Sequence, residues 1–210
     1  MKIVNEMEQF NMKISELKQQ TLNEFSGKWL QAILIAVPYF IVAVIGSLPF
    51  LPYEILSIFA VIGMSYSYLE WFRFKDIPKK PLFKSLNEIL NTPNQFGPFL
   101  VGILVEIYTI LWSLLFLIPG IIKALAYSQA LLIYKDKTLN GTERPGFNDC
   151  ITKSREMMNG HKWELFVLNL SFLGWFFLSI LTVGIGFIWL IPYYYGTLVN
   201  YYDYLKNNNK

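Results

Sequence analysis

The chain has 210 residues, of which 54% are hydrophobic and only 16% charged, and its formal net charge at pH 7 is +3. Soluble domains usually carry about 25% charged residues. This composition excludes a disordered chain and a nucleic-acid-binding protein, and it predicts a polytopic membrane protein. The single cysteine, Cys150, and the single histidine, His161, exclude an intrachain disulfide and a histidine-based metal cluster.

Six apolar runs predict membrane-spanning helices, because a helix needs about 20 residues to cross the hydrocarbon core. They extend from Trp29 to about Leu48, from about Tyr53 to Leu69, from Phe99 to Leu117, from Pro119 to Tyr134, from Trp163 to Leu181 and from Ile185 to about Tyr204. Within each run the apolar residues are continuous rather than alternating, which favours helices over strands.

The dipeptide Pro119-Gly120 leaves two topologies open. It could reverse the chain, which gives six spans, or kink one long helix, which gives five. Basic residues accumulate on the cytoplasmic side of membrane proteins. Seventeen of the eighteen lysines and arginines fall in residues 1–28, 70–98, 135–162 and 206–210. Only six spans place all four segments on one side, so we predict six helices with both termini in the cytoplasm.

The chain is therefore expected to form one all-α membrane domain, residues 1–210, built from three helical hairpins. Its predicted parts are an amphipathic N-terminal helix at 1–28, hairpins at 29–69, 99–134 and 163–205, cytoplasmic connections with an amphipathic helix at 70–98 and 135–162, and a tail at 206–210. The amphipathic helices could lie on the membrane surface or pack under the bundle. Each hairpin follows a glycine (Gly27, Gly97 or Gly160), which is typical of a threefold repeat or of any helix entering a membrane.

One acidic residue, Glu106, lies deep in a predicted span, where charge is costly and usually marks a function. A rise of 1.5 Å per residue places it about 10 Å from the cytoplasmic boundary. Polar residues of other spans lie at similar depth, namely Ser128, Gln129, Asn169, Ser171, Thr197 and Asn200. This layer could be a substrate or proton site open to the cytoplasm, or it could join the helices by hydrogen bonds.

Lys123 is the one basic residue outside the cytoplasmic segments. It lies about 5 Å from the predicted outer surface, so its side chain is expected to extend outward as an outer-side charge. No catalytic motif is recognised, and neither a metal nor a cofactor is expected.

Four motifs carry a resemblance to a known family. They are Ile118-Pro119-Gly120-Ile121-Ile122-Lys123, Ser154-Arg155-Glu156-Met157-Met158-Asn159-Gly160-His161-Lys162-Trp163, Leu181-Thr182-Val183-Gly184-Ile185-Gly186 and Trp189-Leu190-Ile191-Pro192-Tyr193. In this order they resemble the bacterial integral membrane family catalogued as domain of unknown function 975. The resemblance covers nearly the whole chain, and residues 50–96 are its least characteristic part. It implies a polytopic helical protein, mainly of Gram-positive bacteria, without established catalytic residues.

These features predict a non-enzymatic interaction or accessory protein of the cell envelope. It would act in export, in envelope homeostasis or in protection against membrane-active peptides. Besides the lipid bilayer, the expected partners are another membrane protein or a second copy of the chain, and no nucleic acid. The alternative is a small transporter or lipid-handling protein that uses the cytoplasm-facing polar layer around Glu106.

Overall fold

The structure is a computed structural model that describes residues 2–45, 53–75, 97–115, 117–141 and 145–208. Within these ranges the chain is helical and contains no strand, as the continuous apolar runs predict. The predicted first turn, near 47–52, and most of the predicted connection at 70–98 with its amphipathic helix lie outside the described residues.

The helices follow the predicted spans closely. They are α1 (Lys2–Phe25), α2 (Trp29–Ile45), α3 (Tyr53–Phe74), α4 (Gly97–Leu115), α5 (Leu117–Tyr127), α6 (Ala130–Leu139), α7 (Phe147–Met157), α8 (Lys162–Leu181) and α9 (Phe187–Asn208). Five of the six predicted spans correspond to single helices, which are α2, α3, α4, α8 and α9.

Two of the described helices are long and apolar enough to cross a membrane, at Gly97–Leu114 and Lys162–Leu181. A third candidate results if Lys13–Phe25 and Trp29–Val42, which meet at 102°, are one broken span. The described part of the chain thus supplies two to three candidate spans by length and composition. The other predicted spans are shorter or more polar, because α2 has 17 residues and α9 ends in a charged, polar segment.

The chain reverses between α4 and α5. A Cβ on Gly120 would lie 2.8 Å from the Cα of Ser113, whereas seven residues of one continuous helix span about 10 Å. The next pair of helices repeats this spacing, since a Cβ on Gly186 would lie 2.8 Å from the Cα of Ser179. Only glycine allows the returning helix to approach this closely without displacing backbone.

The reversal between α8 and α9 occupies residues 182–186, as the sequence predicts. The backbone of Val183 and Gly184 has φ angles of 55° and 87°. The side chain of Thr182 supports this turn, because its Oγ1 accepts the N–H of Gly186 at 3.0 Å and donates to the carbonyl of Ser179 at 2.9 Å.

The fourth predicted span, Pro119 to Tyr134, is not one helix and needs a correction. The helix is interrupted at Ser128 and Gln129, between α5 and α6. The hydroxyl of Ser154, fully buried on α7, accepts the N–H of Gln129 at 3.2 Å and donates to the carbonyl of Ala126 at 2.8 Å. A side chain inserted into the helical hydrogen-bond ladder is a known cause of such a break.

The amphipathic helix α1 packs against the bundle. Its buried residues Ile14, Leu17, Thr21 and Phe25 recur at helical spacing and form one face. A Cβ on Gly196 would lie 2.8 Å from the Phe25 ring and 2.9 Å from Thr21, so this glycine lets α1 approach α9. Of the two positions open to an amphipathic helix, the described part of α1 therefore adopts the one beneath the bundle.

The outward faces of α4 and α8 are apolar and exposed. On α4 the exposed side chains include Ile107, Ile110, Leu111 and Leu114, and on α8 they include Leu173, Phe176, Phe177 and Leu181. Contiguous apolar surface of this kind marks contact with a membrane or another protein. These faces belong to the same two helices that are long enough to cross a bilayer.

Candidate functional site

An ion-pair network joins α3, α6 and α9. The guanidinium of Arg73 donates to the carboxylate of Asp136 and, at 2.9 and 3.1 Å, to Oδ1 of Asp203. The side chains of Arg73 and Asp136 are only 17% and 10% exposed. A single arginine therefore joins one helix from each of the three predicted hairpins.

Asp136 is the centre of this network. Its Oδ2 accepts hydrogen bonds from Lys206 at 2.6 Å and from the Tyr202 hydroxyl at 3.0 Å. Burial alone would raise the pKa of Asp136, but hydrogen bonds from Lys206 and Arg73 and their positive charges hold that pKa below its ordinary value of 3.8. Burial would lower the pKa of Arg73, and its two carboxylate partners outweigh this effect and raise it. The network is consequently ionised at neutral pH.

A second ion pair, Lys135 Nζ to Glu70 Oε1 at 2.7 Å, lies beside the network, with side chains 6% and 15% exposed. Such buried pairs fix the relative position of helices, because breaking one leaves an uncompensated charge. Within the described ranges no three His, Cys, Asp or Glu side chains are grouped so that they could hold a metal ion. The arrangement thus supports a structural role for these charges.

The sequence analysis missed Asp136 and Asp203 as paired residues. A signal for them was present, since each acid follows a tyrosine near the end of a returning helix, in Tyr134-Lys135-Asp136 and Tyr202-Asp203. In the first hairpin the residue near that end, Arg73, has the opposite sign. Charges of opposite sign at equivalent ends of packed helices are candidates for pairing.

Three residues of the predicted polar layer surround one cavity. Ser128, Gln129 and Asn169 line a cavity of about 230 Å³ together with Ser65 of α3 and Tyr194 of α9. The break between α5 and α6 places Gln129 there, because the interruption of the helix at Ser128 and Gln129 turns this side chain into the bundle. Gln129 is only 2% exposed.

Gln129 has one unused hydrogen-bonding atom. Its Nε2 donates to the Ser128 hydroxyl at 3.0 Å. Its Oε1 is buried without a hydrogen-bond partner in the part of the chain that the structure describes. A buried acceptor left unsatisfied costs about 1–3 kcal/mol, so an unpaired one at a cavity wall indicates a ligand or water.

An apolar groove adjoins this cavity. It has a volume of about 600 Å³ and lies between α2, α8 and α9, with walls that include Phe40, Phe176 and Ile188. Asn169, Tyr194 and Tyr195 line both the groove and the polar cavity. The Tyr194 hydroxyl donates to Asn169 Oδ1 at 3.1 Å where the two spaces meet. The groove and the cavity thus form one amphipathic site, apolar along its length and polar at one end.

The other predicted layer residues lie elsewhere. Asn200 donates to the Thr21 hydroxyl at 2.8 Å, and Thr197 donates to the same atom at 3.3 Å, so both join α9 to α1. The hydroxyl of Ser171 bonds to the carbonyl of Leu168 within α8. Glu106 is exposed on α4 and lines neither the cavity nor the groove. The predicted layer therefore divides into a cavity wall, a contact between helices and separate positions.

Lys123, the predicted outer-side charge, lies close to an aromatic ring. Its Nζ is 4.2 Å from the ring centroid of Trp112, at a distance that allows a cation–π interaction. This contact connects α5 with α4 across their reversal.

Comparison with known proteins supports the resemblance inferred from the motifs. Residues 1–209 match the family described as "Protein of unknown function (DUF975)". No curated protein and no solved structure matches the chain. Because the match extends over nearly every residue, the chain belongs to this family.

Proposed function

We propose that the protein crosses the bacterial cell membrane six times, with both termini in the cytoplasm, and binds a lipid without chemically changing it. The helix bounds and the sorting of basic residues support six spans. The broken fourth span fits this topology, since α5 and α6 have lengths of about 16 and 15 Å, together close to the hydrocarbon thickness of about 30 Å.

The observation that carries the proposal is the groove between α2, α8 and α9. Its volume of about 600 Å³ lies in the range of small-molecule sites. Its wall extends along α8 from Asn169 past Phe176 to Gly184 beyond the helix end, and the stretch from Asn169 to Leu181 measures about 18 Å. This length runs across about half of a bilayer core, which suits one acyl chain. The groove adjoins the exposed apolar face of α8, from which a lipid could enter.

Lipid retained by the purified protein tests this proposal, measured by native mass spectrometry after mild detergent extraction. Leu173→Trp should fill the groove and lower the retained lipid severalfold. Leu170→Trp is a matched control, because Leu170 lies on the same helix, has similar exposure (53% against 44%) and lines no groove. Equal retention by the two variants, or a wild-type protein free of lipid, would overturn the proposal.

An accessory role in export, envelope homeostasis or protection against membrane-active peptides stays a prediction. Lipid binding would give such a protein a means of acting on the bilayer.

A further inference from the structure

The polar cavity occupies a defined depth at one end of the groove. Asn169 lies seven residues after Lys162, the first residue of α8, which is about 10 Å along the helix. From Asn169 the groove continues towards Gly184 at the far end of α8. A chain lying in the groove would therefore place its polar end in the cavity among Ser128, Gln129 and Asn169.

The chemistry of the cavity wall selects the kind of polar end. The residues that line the cavity include no Asp, Glu, Lys, Arg or His. A phosphate or ammonium group buried there would lack a compensating charge, which makes its transfer from water strongly unfavourable. Uncharged hydrogen-bonding groups remain compatible with this wall.

The unused atom of the cavity is an acceptor. Oε1 of Gln129 is buried and lacks a partner among the described residues, so the matching ligand group is a donor. A hydroxyl group donates and is uncharged, and it can also accept from the side-chain amide of Asn169. This complementarity to a hydroxyl group is independent of the apolar character of the groove.

We propose that the site takes a neutral glycerolipid, with its acyl chain in the groove and a glycerol hydroxyl donating to Oε1 of Gln129. This inference rests on the proposed lipid binding and adds the class of the lipid. The cavity volume of about 230 Å³ leaves room for a glycerol group but not for a large sugar headgroup together with its hydration.

Competition between two lipids tests the headgroup. Full-length protein in detergent is mixed with equal amounts of dioleoylglycerol and dioleoyl phosphatidylglycerol, which have the same chains, and bound lipid is counted by native mass spectrometry. Wild-type protein should retain dioleoylglycerol at least tenfold over the phospholipid. Equal retention, or a preference for the phospholipid, would overturn the headgroup assignment while the proposed lipid binding stands. Binding of neither lipid would overturn both.

Substitution of Gln129 tests the contact itself. Gln129→Leu should abolish the preference for dioleoylglycerol while total lipid retention stays near the wild-type level. Gln31→Leu is the control, since Gln31 is a half-buried glutamine on α2 that lines neither space. Dioleoylglycerol should raise the unfolding temperature of wild type and of Gln31→Leu but not of Gln129→Leu, because only a ligand that binds the folded state stabilises it. An unchanged preference in Gln129→Leu would show that water satisfies this acceptor. If Gln129→Leu fails to fold, the wild-type competition still decides the assignment.

Discussion

The hydroxyl of Tyr194 donates a 3.1 Å hydrogen bond to Oδ1 of Asn169 at the junction of the polar cavity and the apolar groove. Both side chains line both spaces. The contact joins α8 to α9 and orients the Asn169 amide at the cavity wall. Its loss should affect stability and the site together.

Removal of one partner of this bond should destabilise the protein more than removal of both. Tyr194→Phe or Asn169→Leu alone leaves a half-buried polar group without its partner, at a cost of about 1 kcal/mol. The double variant removes both groups, so its cost should be smaller than the sum of the single costs. Unfolding in detergent micelles measures these values, and strictly additive costs would contradict a direct bond.

The two close glycines should tolerate alanine poorly. In Gly120→Ala and Gly186→Ala the new Cβ meets backbone of the preceding helix, which should cost about 1–3 kcal/mol. Gly174→Ala is the control, because nothing lies within 4 Å of its Cβ position; alanine there should be neutral or stabilising by about 0.5–1 kcal/mol. Thermal unfolding compares the three variants, and similar losses in all of them would exclude the close approach as the cause.

Replacement of Arg73 should strongly destabilise the bundle. Arg73→Gln leaves the carboxylates of Asp136 and Asp203 near each other with less compensation, at a cost of about 3 kcal/mol. Lys75→Gln, on the same turn of chain, removes a basic side chain that is 61% exposed and pairs with Glu24, so its cost should stay below about 1 kcal/mol. Chemical unfolding distinguishes the two, and a small loss for Arg73→Gln would show that the network contributes little.

The same network should make stability depend on acid pH. The pKa of Asp136 in the folded protein lies below its ordinary value of 3.8, so the stabilisation is complete above that value and is lost as the pH falls further. The unfolding temperature of wild type should therefore drop below about pH 4. Asp136→Asn should show a shallower drop, and an identical pH profile in this variant would contradict the assignment.

The proposed orientation predicts which residues face each side of the membrane. Cys150 is the single cysteine and is fully buried, so Cys150→Ala provides a background for labelling. Ile185→Cys in the turn after α8 should react with a membrane-impermeant maleimide on intact cells. Lys153→Cys on α7 should react only after the cells are permeabilised, and the reverse pattern would invert the topology.

Helix positions could be predicted from the sequence because they depend on local composition. Continuous apolar runs placed α2, α3, α4, α8 and α9 within a few residues, and the absence of basic residues near Thr182–Gly186 identified that reversal. The break at Ser128 and Gln129 could not be predicted in the same way. It depends on the hydroxyl of Ser154, 25 residues later in the chain.

The polar layer shows a second limit of sequence reasoning. Counting residues along a helix gives the height of a side chain but not the direction in which it points around the axis. Asn169 and Asn200 were therefore assigned to one layer, although Asn169 lines the cavity and Asn200 bonds to Thr21 of α1. The partners of Arg73 are 63 and 130 residues away in the chain, so only the packed bundle reveals them.

The most direct test of lipid binding at this site is photocrosslinking with a dioleoylglycerol analogue that carries a diazirine on one acyl chain. The modified peptides are then mapped by mass spectrometry. The account predicts that residues 172–191, which line the groove, are labelled well above residues 107–114, an equally exposed apolar stretch of α4. Equal labelling of the two stretches would contradict it, because it would show that the lipid contacts the protein only as bulk bilayer.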